Sequence, residues 1–321
     1  MGIRSLGNPT ESYNAVWSAS GKGAVTPAPS TSPISATGGT KTTSGLYTIH
    51  SFTSPGTFVV SSGNDNIQYL VIGAGGGGSM GGGGAGGLRT NVPGNTPGGP
   101  SASTEADYPI IVGTYPVTIG AGGAGGSPND NFGYAGTDSS FNTTNVNGKG
   151  TITSTGGGRG GKLDQPGSDG GNGGGGGGGG GTNSVGGSAV SPTQGYPGGY
   201  SGPNNDVRGG GGGGGASHSG YNRDGPDVGA HGGDGLANTI TGSSVTYAGG
   251  GGGGSSGAGH AGGTGGSGGG GNGAPGPGGT GNAGTTNTGG GGGGGGMAPG
   301  GHRGHGGAGG PGIVIVRYLT T

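Results

Sequence analysis

The chain has 321 residues, of which 108 are glycine and only 24% are hydrophobic, so a side-chain core of the size usual at this length cannot form. Its 12 acidic and 11 basic residues give a net charge of -1, which argues against nucleic acid as a partner. Disulfides and thiolate metal sites are excluded because there is no cysteine. The sequence also lacks an apolar stretch long enough for a membrane span and the apolar region of a signal peptide. We therefore expect no membrane insertion, and release by cell lysis if the protein acts outside cells.

The N-terminal region divides into two parts by composition. Residues 1–20 contain Arg4, Tyr13 and the only tryptophan, Trp17, and residues 21–40 are a linker rich in proline, serine and threonine. We interpret the first part as a docking segment for another protein. An untethered N-terminus fits the same composition.

From residue 41 to 155, short apolar runs rich in β-branched residues predict strands that empty into glycine. The runs are LYTIHSF and TFVVSS around a turn at Pro55 and Gly56, IQYLVIGAG (67–75), YPIIV (108–112) and TYPVTIGAG (114–122). The equally apolar IVIVRY (313–318) is expected to pair beside Tyr69–Ile72 and so to close the chain on itself. The fold class is all-β and irregular, with a small antiparallel β-sandwich cap.

Between residues 156 and 321, glycine runs alternate with polar stretches before this terminal strand. The pattern lacks collagen's strict third-residue glycine, and regularly placed strands argue against a disordered linker. We predict a bundle of polyproline II (polyglycine II) helices whose N–H groups bond to neighbouring carbonyls, which only glycine permits. Gly173–Gly181 and Gly289–Gly296 suit interior helices. Gly259–Gly273 suits an outer one, with outward residues at His260, Thr264, Ser267 and Asn272.

Two stretches between the glycine runs, residues 182–208 and 216–247, have the composition of binding loops. Tyrosine gives contact area at low entropic cost, and amide, Arg and Asp side chains give directional bonds, which also suits sugars. The candidate binding residues are Tyr196, Tyr200, Asn204, Asn205, His218, Tyr221, Asn222, Arg223 and Asp224. Alternatively, the tyrosines cover the flanks of the rods as a substitute core. A third stretch, with Phe132, Tyr134 and Phe141, is predicted to serve packing.

The sequence gives no sign of an enzyme. No GK dipeptide precedes Ser or Thr as a P-loop requires, and no nucleophile elbow joins a strand to a helix. His302 and His305, and the group of Asp224, Asp227 and His231, are interpreted as exposed polar positions rather than metal ligands. We expect no catalytic residue, no metal and no cofactor.

Several of these motifs together resemble a known family. YLVIGAGGGG, AGGLRT, GTYPVTIGAGG, DSSF (Asp138–Phe141) and the terminal GGPGIVIVRY are similar to the glycine-rich domain of tail-fibre and appendage proteins of bacterial viruses, over about residues 40–321. The chain more distantly resembles the distal adhesins of T-even-type phages, in which a sandwich of polyglycine helices displays variable loops. This family often carries a long shaft before the domain, whereas only a short segment precedes it here.

The resemblance implies a virion protein, extracellular after host lysis, that attaches to a host cell-surface receptor, either a glycan or an outer-membrane protein. Arg4, Tyr13 and Trp17 would dock on a shaft, baseplate or capsid protein, or the chain would assemble with itself. The alternative is a capsid-decorating fibre or a self-assembling filament subunit without a receptor role. Ice binding through a flat Ser/Thr/Ala face is a more remote alternative.

Overall fold

The computed structural model describes residues 32–128, 132–173, 184–190, 194–201, 209–223, 225, 227–298 and 303–320. From Pro33 onward these residues belong to one compact unit. The predicted docking residues Arg4, Tyr13 and Trp17 lie outside the described residues, so their role stays a prediction. The domain boundaries proposed from the sequence also stay a prediction.

The described part of the chain contains twelve strands and no helix, which confirms the all-β prediction. The strands are β1 (Ser32–Thr37), β2 (Thr40–Ser44), β3 (Tyr47–Phe52), β4 (Gly56–Ile72), β5 (Leu88–Thr90), β6 (Tyr108–Ile110), β7 (Gly113–Thr118), β8 (Ser139–Phe141), β9 (Ile152–Ser154), β10 (Leu236–Asn238), β11 (Val245–Tyr247) and β12 (Ile313–Leu319). Ten of them form one sheet, and β10 and β11 form a separate antiparallel pair.

Strands β4 and β12 organise the ten-stranded sheet. Its path runs β2-β3-β12-β4-β7-β8-β9, and β1, β5 and β6 also pair with β4. The predicted pairing of the last strand is confirmed, since Ile313 lies opposite Ile72 and Val316 opposite Tyr69. The sequence suggested two short strands where the structure has the single 17-residue β4, because residues between the two apolar runs continue the extended backbone.

Alternating side chains of β4 and β12 belong to two apolar clusters on opposite faces of the sheet. Tyr69 and Val71 belong to a cluster that also includes aromatic residues of β7 and β8, whereas Leu70 and Ile72 belong to a second cluster with residues of β5 and β11. This period of two is that of a strand covered on both faces. The limited apolar content is therefore concentrated at one place, where the glycine segments begin.

Glycine-rich segments run out from the ends of these strands and back to them. Among the described residues, twelve segments are joined by lateral backbone hydrogen bonds into an outer ring. In ring order they are 120–127, 132–138, 155–161, 168–173, 184–190, 194–201, 217–223, 228–235, 260–267, 270–276, 279–285 and 303–312. The ring closes where Gly309 N of the last segment donates to Gly123 O of the first at 2.8 Å. Five further described segments lie inside the ring: 73–78, 81–87, 209–216, 248–256 and 289–297.

Each interior segment bonds to six neighbours, as segment 73–78 illustrates. Gly75 and Gly78 donate to Gly310 and Gly307 of one neighbour, both at 2.9 Å, and the residues between them turn to other neighbours. Its hydrogen-bonded neighbours are the segments 81–87, 120–127, 132–138, 155–161, 289–297 and 303–312. The step of three residues matches the three residues per turn of a polyproline II helix. The polyproline II conformation itself stays a prediction.

Glycine is required inside because three consecutive positions face three different backbones. A Cβ atom on Gly75 would collide with the carbonyl oxygen of Gly290, one on Gly76 with that of Gly158, and a Cβ on the next residue with a third carbonyl. The predicted interior position of Gly289–Gly296 is confirmed by burial of all its residues. Of Gly173–Gly181, only the first residue is described.

Outer segments carry a side chain at every third position. In segment 260–267 the exposed residues are Ala261, Thr264 and Ser267, separated by buried or half-buried glycines. Thr264, Ser267 and Asn272 are exposed, as predicted, but Asn272 lies on the next segment of the ring. The prediction for His260 was wrong, since this side chain is half-buried. The physical reason is that the three-residue repeat of outward positions starts anew at each turn between segments.

A buried histidine connects the first apolar cluster to the edge of the sheet. His50 is fully buried, with its ring stacked 5.7 Å from that of Tyr318 and edge-on to Phe58. Its Nδ1 lies 2.7 Å from the carbonyl oxygen of Gly38, so Nδ1 carries the donated proton and Nε2 faces the Tyr318 hydroxyl at 3.3 Å. Burial, with a smaller contribution from Lys41, lowers the pKa of His50.

Replacing Gly76 by Ala is expected to lower the free energy of unfolding by roughly 1–3 kcal/mol or more, because the new methyl group meets the Gly158 carbonyl in a fully packed bundle. Chemical denaturation measures this change. Gly56→Ala is the control, since its Cβ would find its nearest neighbour, a Phe52 ring atom, at an ordinary 3.5 Å. Equal stability of the two variants would contradict the proposed packing constraint.

The lowered pKa of His50 predicts a loss of stability in mild acid. Below its ordinary pKa of about 6.5 the unfolded chain binds a proton that the folded chain does not, so the free energy of unfolding falls as pH decreases towards the folded-state pKa. Thermal unfolding between pH 7.5 and 5 measures the effect. His50→Gln should reduce the pH dependence, whereas His231→Gln, at an exposed site, should retain it.

Candidate functional site

Four of the candidate residues come together on adjacent segments of the outer ring. Tyr200 lies on segment 194–201, and Tyr221, Asn222 and Arg223 lie on segment 217–223. The tyrosines are 44% and 50% exposed, so neither serves mainly as a substitute core. The sequence placed these residues in loops, but the structure places them along the straight ring segments.

Backbone and side-chain hydrogen bonds fix the relative positions of these residues. Arg223 N donates to Tyr200 O at 3.1 Å, and Tyr200 N donates to the side-chain oxygen of Asn222 at 3.1 Å. On the other side, Tyr221 N donates to His231 O at 3.0 Å, and the Tyr221 and His231 rings meet edge to face with centroids 6.1 Å apart. We call Tyr200, Tyr221 and His231 the aromatic row.

The next segment extends this row with small polar side chains. His231 Nδ1 accepts a bond from Thr264 N at 3.0 Å and lies 2.7 Å from the Thr264 hydroxyl. Three residues further along, one Asp234 oxygen accepts from both the N–H and the hydroxyl of Ser267 at 2.9 Å. Side chains on neighbouring segments are therefore in register across the ring. This arrangement gives a rigid surface with aromatic, amide and hydroxyl groups.

The remaining candidates are placed differently. Arg223 is buried, its Nη1 donates to Gly225 O at 3.3 Å, and burial lowers its pKa although Asp227 opposes the shift. The Arg223 side chain is therefore not part of the exposed surface, and its backbone N–H supports Tyr200. Tyr196 is half-buried, and its N–H donates to Asn172 Oδ1 at 2.7 Å. Exposed His218 bonds to the adjacent Ser217 hydroxyl at 2.9 Å. Asn204, Asn205 and Asp224 lie outside the described residues.

Sequence reasoning missed part of this face. His231 was predicted to be an exposed polar position, which its exposure confirms, but its contact with Tyr221 was not predicted, and Val185, 59% exposed on segment 184–190, was not singled out. The prediction that Phe141 serves packing is confirmed by its complete burial, but the prediction for Tyr134 was wrong, since that side chain is 68% exposed. Counting positions in steps of three from the buried glycines would have found the outward residues.

Within the described ranges there is neither a cluster of metal-ligating side chains nor a membrane-spanning helix. No group of three or more His, Cys, Asp or Glu side chains is placed to hold a metal ion. His302, one of the two histidines considered earlier, lies outside those ranges. No helix of sufficient length and apolar character to cross a bilayer occurs among the same residues.

The fold and this face define an all-β scaffold in which laterally bonded glycine segments carry outward side chains. Residues 52–319 match the family model for the glycine-rich domain, and the chain belongs to that family. No curated protein matches the sequence significantly.

Because the aromatic row is exposed, Tyr200→Ala and Tyr221→Ala are each expected to change the free energy of unfolding by no more than about 0.5 kcal/mol. The same change at Tyr115, which is fully buried, is expected to cost about 3–5 kcal/mol. Chemical denaturation of the three variants tests the assignment. A large loss at Tyr200 or Tyr221 would show that they act as a substitute core.

Proposed function

We propose that the protein is a phage tail-fibre or appendage protein that attaches the virion to a host cell-surface receptor. The observation that carries this proposal is the aromatic row on a laterally bonded backbone. Tyrosine rings offer broad faces for stacking on sugars or apolar protein groups, and the amide of Asn222 and hydroxyl of Thr264 offer directional bonds. No catalytic role, cofactor or nucleic-acid partner enters the proposal.

A rigid scaffold favours binding because little conformational freedom is lost when the partner is engaged. The backbone beneath the aromatic row is held from both sides, since Tyr221 donates to His231 and its own carbonyl accepts from Gly212. In the proposed assembly, the N-terminal segment with Arg4, Tyr13 and Trp17 docks on a shaft, baseplate or capsid protein. The protein is then extracellular after host lysis.

A structural role is the second candidate, and the edge of the sheet favours it. Strand β2 ends the sheet path, and four of its five residues are exposed. An exposed edge offers backbone groups to another chain, although Lys41 reduces this tendency. In this candidate the protein decorates a capsid or assembles into filaments through such edges, without a receptor.

Binding of the fluorescently labelled full chain to candidate host bacteria and to their purified surface polysaccharides tests the proposal. We expect saturable binding to one strain and at least a tenfold loss of affinity in Tyr221→Ala, because that ring is half-exposed at the centre of the row. Leu46→Ala is the matched control, since this side chain is 71% exposed at the sheet end, and its binding should be unchanged.

A folded protein that binds no strain, or a Tyr221→Ala variant that binds normally, would contradict receptor binding through the aromatic row. Concentration-dependent assembly of the same preparation, measured by light scattering and blocked by a charge introduced at Thr42 of β2, would favour the structural role.

A further inference from the structure

A second exposed aromatic site lies on the ring away from the aromatic row, beside two cationic side chains. The guanidinium carbon of Arg159 lies 3.9 Å from the centroid of the Phe132 ring, and Nζ of Lys162 lies 4.6 Å from the same centroid. The exposed ring of Tyr134 lies two residues further along. An open cavity of about 370 Å³ is lined by Phe132, Gly133, Tyr134, Ala135 and Arg159.

Arg159 has unused hydrogen-bonding capacity. Its Nη1 is buried and has no hydrogen-bond partner among the described residues. Burial lowers its pKa. A guanidinium whose donors are removed from water without a partner is unfavourable, and a carboxylate or sulfate oxygen is the partner that best satisfies it. The buried donor therefore indicates an anionic ligand.

The backbone that carries this site is fixed. Gly133 N donates to Ser79 Oγ, Tyr134 N donates to Ala124 O and Gly77 N donates to Tyr134 O, each at 2.8 Å. The N–H of Arg159 donates to the Ser168 hydroxyl at 2.9 Å. The rings and the guanidinium are consequently presented in place before any ligand arrives.

We propose that Phe132, Tyr134 and Arg159 form a binding site for an acidic polysaccharide. A carboxylate or sulfate group of the sugar bonds to Arg159, and the sugar ring packs on the exposed face of Tyr134. The site is separate from the aromatic row, so the inference goes beyond the attachment proposed above.

Isothermal titration calorimetry of the full chain tests the proposal. The probes are oligogalacturonate, a sulfated dextran oligomer and a neutral dextran oligomer. We expect binding of at least one acidic oligomer, weakening as salt is raised, and none of the neutral one. The carboxylated and sulfated probes distinguish which group is recognised. Arg159→Gln should weaken binding at least tenfold, whereas Lys149→Gln, which removes an exposed positive charge elsewhere, should have no effect.

Tyr134→Ala is a second variant that does not depend on Arg159, and its 68% exposure makes a folding defect unexpected. It should weaken binding by threefold or more. Tyr221→Ala should bind the acidic oligomer normally, which separates this site from the aromatic row. No binding to either acidic probe, equal binding to the neutral probe, or full binding by both Arg159→Gln and Tyr134→Ala would overturn the proposal.

Discussion

The whole molecule depends on lateral N–H···O bonds between glycine backbones that approach too closely for any side chain. Ordering one residue costs about 1–2 kcal/mol of backbone entropy, and a hydrogen bond returns about 1 kcal/mol net. Weak Cα–H···O contacts, which glycine can make with two hydrogens, contribute about 0.5–1 kcal/mol each. The terms nearly cancel for an isolated pair of segments. A segment bonded on six sides, such as 73–78, is ordered only because its neighbours are ordered with it.

The sheet supplies the alignment that the glycine segments cannot generate alone. Strand β4 leads directly into segment 73–78, and segment 303–312 leads into β12, which pairs with β4. This strand pairing holds the two segments side by side, and Gly75 N donates to Gly310 O. The apolar clusters on both faces of these strands hold this starting point. A small core is sufficient because it has to fix the segment ends rather than fill the bundle.

Features that depend on local composition could be predicted from the sequence. The direction in which each side chain points could be predicted only in part, because it depends on where the three-residue repeat starts in each segment. The apolar run at Ile313–Val316 and the all-glycine run at Gly289–Gly296 each identify their own environment, so a strand and an interior segment could be inferred. The outward positions Thr264 and Ser267 were predicted correctly, but exposed Ala261 and half-buried His260 were not, because one residue gained or lost at a turn shifts every following position to another face. For the same reason, Tyr221 and His231, ten residues apart, had no sequence signal of contact.

The same constraint decides where function can reside. Interior N–H groups are directed at neighbouring carbonyls, so they do not form the free N–H cradle with which other glycine-rich loops bind phosphate. The interior glycines also leave no room for a side chain, since a Cβ atom on Gly75 or Gly76 would meet a neighbouring backbone carbonyl. Side chains are therefore displayed mainly at outward positions of the ring, which would lie about 9 Å apart along a segment at the rise of roughly 3.1 Å per residue of the predicted polyproline II conformation. Substitution at such positions changes the chemistry of the outer face while the backbone bonds beneath it can remain in place.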